Sequence, residues 1–169
     1  ARRSRLRRVA FFPTAGGPIL ACPGSGHACI AGTGDAANIM DDIDFVKLSG
    51  SGNDFVCLDN RDGRYDAVLD VPARAGQFAR ELCHRGVGVG ADGVIVAGDP
   101  GAEESADIAA RFFEADGSEA ELCGNGTACF AHWVIQAGFV GVCELRILTP
   151  AGIVQARDCE PPYVRVCIP

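Results

Sequence analysis

The tract Ala115-Asp116-Gly117-Ser118-Glu119-Ala120-Glu121-Leu122-Cys123-Gly124-Asn125-Gly126 constrains this chain most, because it sets a thiol where a glycine-rich turn opens a helix. Phe130, Trp133, Val134 and Ala137 follow at i, i+3, i+4 and i+7, and Gly138 supplies a stop signal, so the spacing predicts an amphipathic helix over residues 125–137. The first turn of such a helix offers unpaired backbone N–H groups and the positive end of its dipole to whatever sits at Cys123. Both favour the thiolate over the thiol. Gly124 and Gly126 allow close backbone approach, and the same N–H groups suit a carboxylate, so a base would stand beside an anion cradle. Spacing alone also fits a cysteine packed at a helix start, since free cysteine is among the most buried residue types.

Around that helix the chain reads mostly as strands. Residues 43–48 and 54–58 form a predicted hairpin about a turn at 50–53, which puts Asn53 on a tight loop where it either meets a ligand or satisfies the turn. Asp70, Pro72 and the helically spaced Ala75, Phe78, Ala79 and Leu82 predict a helix over 72–84. Gly86, Gly88, Gly90 and Gly93 then lead into a strand at 94–97. A dinucleotide cradle needs its glycines after a strand and before a helix, and here that order is reversed. Further strands are predicted at 106–113, 144–149, 153–156 and 163–168, with a hairpin signal at Pro150-Ala151-Gly152 and a linker at Glu160-Pro161-Pro162. Several strands around one central helix indicate an α+β domain.

Charge is unevenly placed. Five arginines against Asp35 give residues 1–39 a net charge of +4, and the total of −7 leaves −11 for residues 40–169. An acidic body argues against nucleic-acid binding there, and the basic start reads as a solvated tail. The nine cysteines are scattered and odd in number, which favours a reducing compartment over a disulfide framework. Cys123, Cys129 and His132 lack zinc spacing, and Cys83-His84 reads as a helix end, so no metal is expected. No apolar run is long enough to span a bilayer, and no membrane partner is expected. Pro13, Gly16, Gly17 and Pro18 interrupt the apolar region that follows the arginines, which argues against a secretory signal. The expected location is the cytoplasm, or a plastid if residues 1–39 act as a transit peptide.

Three segments together resemble the N-terminal half of diaminopimelate epimerase: 45–55 (Phe-Val-Lys-Leu-Ser-Gly-Ser-Gly-Asn-Asp-Phe), 85–93 (Arg-Gly-Val-Gly-Val-Gly-Ala-Asp-Gly), and Ala115 to Glu119 with Cys123-Gly124-Asn125-Gly126. The resemblance implies a curved mixed β-sheet wrapped around a central helix. It divides the chain into an extension over 1–39, poorly ordered, a family-like domain over 40–158, and the start of a truncated second domain over 159–169. It also implies a cofactor-independent isomerase, without pyridoxal phosphate or metal, that inverts the α-carbon of an amino-acid substrate with two cysteines on opposite faces. Cys123 then matches the first catalytic cysteine, Asn53 a substrate-binding amide, and Gly124 with Asn125 the turn that holds the α-carboxylate. Glu114 stands where the family carries a substrate-contacting asparagine. The second cysteine belongs to a Cys-Gly-Thr-Gly-type turn in the second half; Cys143, Cys159 and Cys167 lack that setting, and Cys22-Pro23-Gly24-Ser25-Gly26 is only a distant echo of it. A homodimer partner or a missing C-terminal half would have to complete the site. The alternatives are a non-catalytic truncated half-domain and a related racemase for another amino acid.

Overall fold

The computed structural model describes residues 27–28, 43–141, 144–158 and 164–167. The extension over 1–39, the segment from Cys22 to Gly26 within it, Cys143, Cys159 and the linker at Glu160-Pro161-Pro162 therefore fall outside the described residues, apart from the short strand β1 (His27–Ala28). That strand pairs antiparallel with β2 (Ile43–Asp44).

The main sheet has eight strands. In chain order they are β3 (Val46–Gly50), β4 (Asn53–Asp59), β5 (Gly93–Gly98), β6 (Ile108–Glu114), the short β7 (Glu119–Ala120), β8 (Glu144–Thr149), β9 (Gly152–Asp158) and β10 (Val164–Cys167). They lie in the order β10-β9-β8-β6-β5-β4-β3, with β7 paired to β6. The pairs β4–β5 and β6–β8 are parallel and the others antiparallel, so the sheet is mixed. β10 extends this sheet beyond residue 159, antiparallel to β9. Ser51 and Gly52, both at positive φ (53° and 94°), make a two-residue turn that pairs Gly50 with Asn53. Asn53 is therefore the first residue of β4 and not a loop residue as its sequence suggests.

The central strands are buried on both faces. Phe55, Cys57, Ile95, Ala97 and Phe112 point into one core with helix α3 (Gly124–Ala137), while Val56, Leu58, Val94, Val96 and Phe113 point into another with α1 (Asp66–Leu69) and α2 (Pro72–Cys83). Such strands read as continuous apolar runs because alternate residues meet different cores. Helix α2 buries the predicted Ala75, Phe78, Ala79 and Leu82. Its C-terminal carbonyls are taken up by the glycine-rich loop, through N–H groups of Gly88, Gly90 and Ala91 donating to His84, Leu82 and Cys83. A Cβ on Gly88 would stand 2.0 Å from the Glu81 carbonyl oxygen, so only glycine fits that approach.

Helix α3 packs against β3 and β4 at one side of the sheet and against β9 and β10 at the other. A single helix can touch both sides only if the sheet curls around it. For the same reason its buried residues are not a stripe: Gly126, Thr127, Cys129 and Ala131 are covered along with Phe130, Trp133 and Val134. Ala137, which the apolar spacing places in the core, is exposed in the last turn. Gly138 caps the helix in the left-handed conformation at φ 68°, and Phe139 folds back onto Trp133 at 5.0 Å between ring centroids. Phe130 is wholly buried (0% exposed) in the enclosed core. Truncation to Phe130→Ala is expected to destabilise the domain by about 3–5 kcal/mol, read as a lower urea midpoint at an unchanged m-value.

Candidate active site

Cys123 is the N-cap of α3. Its backbone is extended (φ −126°, ψ 110°), and its Sγ accepts a hydrogen bond from the Gly126 N–H at 3.4 Å. Sulfur thus takes the part that a serine or aspartate oxygen usually plays at this position. Thr127, fully buried, donates from both its N and its Oγ1 to the Cys123 carbonyl at 2.7 Å and locks the turn. A Cβ on residue 126 would lie 3.2 Å from Cys123 Sγ and 3.3 Å from Phe112 Cδ1, which explains glycine there. Gly124 and Asn125 occupy the first two helical positions, whose N–H groups have no intrahelical acceptor. The half-buried thiol and these donors, free among the described residues, share one turn.

The other predicted amides converge on that turn. Asn125 Nδ2 donates to Asn53 Oδ1 at 2.8 Å, and Asn53 Nδ2 donates to Asp92 Oδ2 at 3.1 Å. Behind them lies a charged clasp that the sequence reading did not assign. Arg85 donates from Nη1 to Asp54 Oδ2 (3.1 Å) and from Nη2 to Asp54 Oδ1 (2.6 Å) and Asp92 Oδ1 (2.7 Å). Lys47 pairs with Asp54 at 3.0 Å and also donates to the Gly90 carbonyl. The Asp54 and Asp92 backbones are tied as well, Asp54 N donating to Asp92 Oδ2 (3.0 Å) and Asp92 N to Asp54 Oδ1 (3.1 Å). Partial burial by itself would raise the Asp54 carboxyl, yet the hydrogen bonds and charges of Arg85 and Lys47 hold it far below its ordinary value. Lys47 and Asp54 lie in the motif at 45–55 and Arg85 and Asp92 in the motif at 85–93, so pairing opposite charges between two motifs was the signal available in the sequence.

Glu114 closes β6, in register with Gly93, which is in register with Phe55. Strand alternation puts it on the face of Phe112, the one that α3 covers, at the end of the sheet where Asn53 begins β4 and Asp92 precedes β5. It is exposed, and its carboxylate has no hydrogen bond or ion pair among the described residues. Neither Asn53 nor Asn125 bonds to it. The other cysteines differ from Cys123 in setting. Burial pushes the Cys57 thiol well up, and it pushes Cys83 and Cys129 each up to about 11. Cys167 is exposed on β10. No cluster of three or more metal-ligating side chains occurs among the described residues. A groove of about 430 Å³, lined by Asp66, Asp70, Asp99 and Arg111 among others, lies elsewhere, by the C-terminal ends of β4 and β5. It contains no thiol, and Asp66 and Asp99 already accept from Asn60 and Gly101.

A family profile described as diaminopimelate epimerase matches residues 45–164, the span that contains every residue of this site. The chain belongs to the diaminopimelate epimerase family. A diaminopimelate epimerase of Archaeoglobus fulgidus is 42% identical over 113 residues, 67% of this chain and 38% of that protein. A chloroplastic diaminopimelate epimerase of Oryza sativa subsp. japonica is 43% identical over 66% of this chain and 30% of its own length. The chain therefore spans well under half of the curated relatives it matches. A solved hydroxyproline epimerase from Agrobacterium vitis shares the fold, with a TM-score of 0.54 at 15% identity over 72% of this chain and 40% of that one. Membership of this family agrees with the curled mixed sheet and its enclosed helix.

The clasp has a pH signature. Because folding lowers the Asp54 pKa, the unfolded chain binds that proton more readily. The clasp's contribution is then complete above the ordinary value of 3.8 and is lost as pH falls from there through the lower folded value. Urea midpoints measured from pH 6 down to pH 2 (about the range over which carboxyls titrate) are expected to fall in the wild type and to fall less steeply in Asp54→Asn.

Proposed function

We propose that this chain carries the Cys123 side of a cofactor-independent amino-acid epimerase acting on diaminopimelate. The observation that carries the reading is the placement of Cys123 as the N-cap of α3, its Sγ accepting from Gly126, with the Gly124 and Asn125 N–H groups, unpaired among the described residues, in the same turn. An α-hydrogen beside a carboxylate is a very weak acid, so a base alone cannot remove it. The N–H donors would hold the carboxylate and stabilise the charge that develops on it as the Cα–H bond breaks. Cys123, as thiolate, would take that proton, and a second acid on the opposite face would return one with inversion. Cys57, Cys83 and Cys129 are buried inside the two cores and do not serve as that acid. On this reading that acid would come from a segment outside the described residues or from another chain.

Incubation of the reduced chain with diaminopimelate in D₂O is expected to incorporate deuterium at the α-carbon with inversion. Cys123→Ala is expected to reduce incorporation by about 10³-fold, the usual weight of a positioned acid–base group. Absence of incorporation in the wild type would instead favour a non-catalytic half-domain.

The Glu114 carboxylate, without a partner among the described residues, supports a second reading, a related racemase whose substrate carries a cationic group. A carboxylate there repels a substrate carboxylate and attracts an ammonium or guanidinium. On that reading Glu114→Asn shifts the exchange preference from basic amino acids toward diaminopimelate, measured as the ratio of kcat/KM values. An unchanged ratio removes Glu114 from specificity.

A further inference from the structure

The amide relay at the start of α3 has a direction, and a carboxylate sets it. A carboxylate paired with a guanidinium accepts hydrogen bonds and does not donate them. Asp92 Oδ2 takes a proton of Asn53 Nδ2 at 3.1 Å, so Asn53 must turn Oδ1 the other way, and that oxygen takes a proton of Asn125 Nδ2 at 2.8 Å. Were Asp92 a donor, Asn53 would turn its amide over, and Asn125 would have to follow or lose the bond. Asp92 is itself immobilised, by Arg85 Nη2 on one oxygen (2.7 Å) and by the Asp54 N–H on the other (3.0 Å). At the far end of the relay, Asn125 Oδ1 has no partner among the described residues. Asn125 lies two positions after Cys123, in the turn that carries the thiol.

We infer that Asp92 is a positioning residue which, acting through Asn53, fixes the Asn125 side chain with its carbonyl oxygen left over as an acceptor for an N–H or ammonium group of the ligand bound beside Cys123. The ligand part rests on the epimerase reading; the direction of the relay does not. Lys47, Arg85 and Asp54 serve it indirectly, by holding the Asp92 carboxylate and the start of β4 in place.

The chain has four asparagines, so labelling with ¹⁵N-asparagine gives four side-chain amide pairs, assigned by Asn53→Ala and Asn125→Ala. Asp92→Asn keeps the size and adds a donor. It is expected to shift both the Asn53 and Asn125 pairs while the backbone spectrum keeps its dispersion, and to leave the Asn125 pair unmoved when Asn53 is already alanine. A shift confined to Asn53, or a shift of Asn125 that persists without Asn53, overturns the inference. If Asp92→Asn does not fold, Asp92→Glu, which keeps the charge but moves the oxygens, is read the same way. In deuterium exchange, Asp92→Asn is expected to raise KM for diaminopimelate about tenfold with a smaller change in kcat, as loss of a ground-state contact requires. An unchanged KM overturns the role toward the ligand. A wild-type chain that exchanges nothing withdraws the epimerase reading, and the amide shifts then decide the positioning role by themselves.

Discussion

Enclosure of α3 governs the rest of the molecule. A helix with an apolar stripe needs one sheet face, but α3 buries Gly126, Thr127, Cys129, Phe130, Ala131, Trp133 and Val134 around most of its circumference. Covering that surface obliges the eight-stranded sheet to bend until strands near both of its sides meet the same helix. Contacts at its two ends fix how the helix lies. Near its start Cys129 is so close to Gly50 that a Cβ on Gly50 would come within 2.6 Å of the sulfur, and beyond its end Phe139 stacks under the Arg61 guanidinium, 3.6 Å from the ring centroid. The helix therefore runs alongside β4, and its first turn arrives where β4 and β5 begin. The location of the thiol follows from the packing of the helix.

The second requirement is electrostatic. Two acids, Asp54 near the start of β4 and Asp92 just before β5, lie at the leading ends of neighbouring parallel strands and would repel one another without Arg85 and Lys47 between them. Exposed ion pairs contribute little to stability on their own. The Asp54 side chain is only 21% exposed, however, and its contacts to Lys47, Arg85 and the Asp92 backbone make a network rather than an isolated pair. Its consequence is geometric as much as energetic, because the same carboxylates orient Asn53 and join the glycine-rich loop to the hairpin. That loop is rich in glycine for backbone reasons, as Gly88 shows against the end of α2.

Much of this was legible in the sequence. The stop at Gly138, Pro72 at the start of α2, and the hairpin turn at Pro150-Ala151-Gly152 are local signals with local causes, and they mark the elements found. Two misplacements have one origin. Asn53 reads as a loop residue and Ala137 as a core residue because sequence patterns report neither a turn that needs positive φ at Ser51 nor a sheet that stops short of the helix's last turn. The short α1 and β7 escaped notice because they are too brief to show a period. In the site, Cys123, Asn53 and Asn125 were recognisable by resemblance, whereas Asp92, Asp54, Arg85 and Lys47 were not. Their importance lies in which charges the β4–β5 pairing brings together, and no local pattern encodes that.

The parallel pairing of β4 with β5 has a consequence for the order of folding. The hairpin of β3 and β4 closes a two-residue turn, and α2 and α3 need only neighbouring residues, so these units can form early. The Asn53–Asp92 contact closes 39 positions of chain and the Asn125–Asn53 contact 72, so each must wait until a long loop has been brought together. A partly folded chain would then hold most of its helix and hairpin while Asn125, already beside the thiol in α3, still lacked the Asn53 contact of the finished domain. Assembly of this site is in that sense a late event, and a chain stalled before it would be well structured and still chemically unfinished.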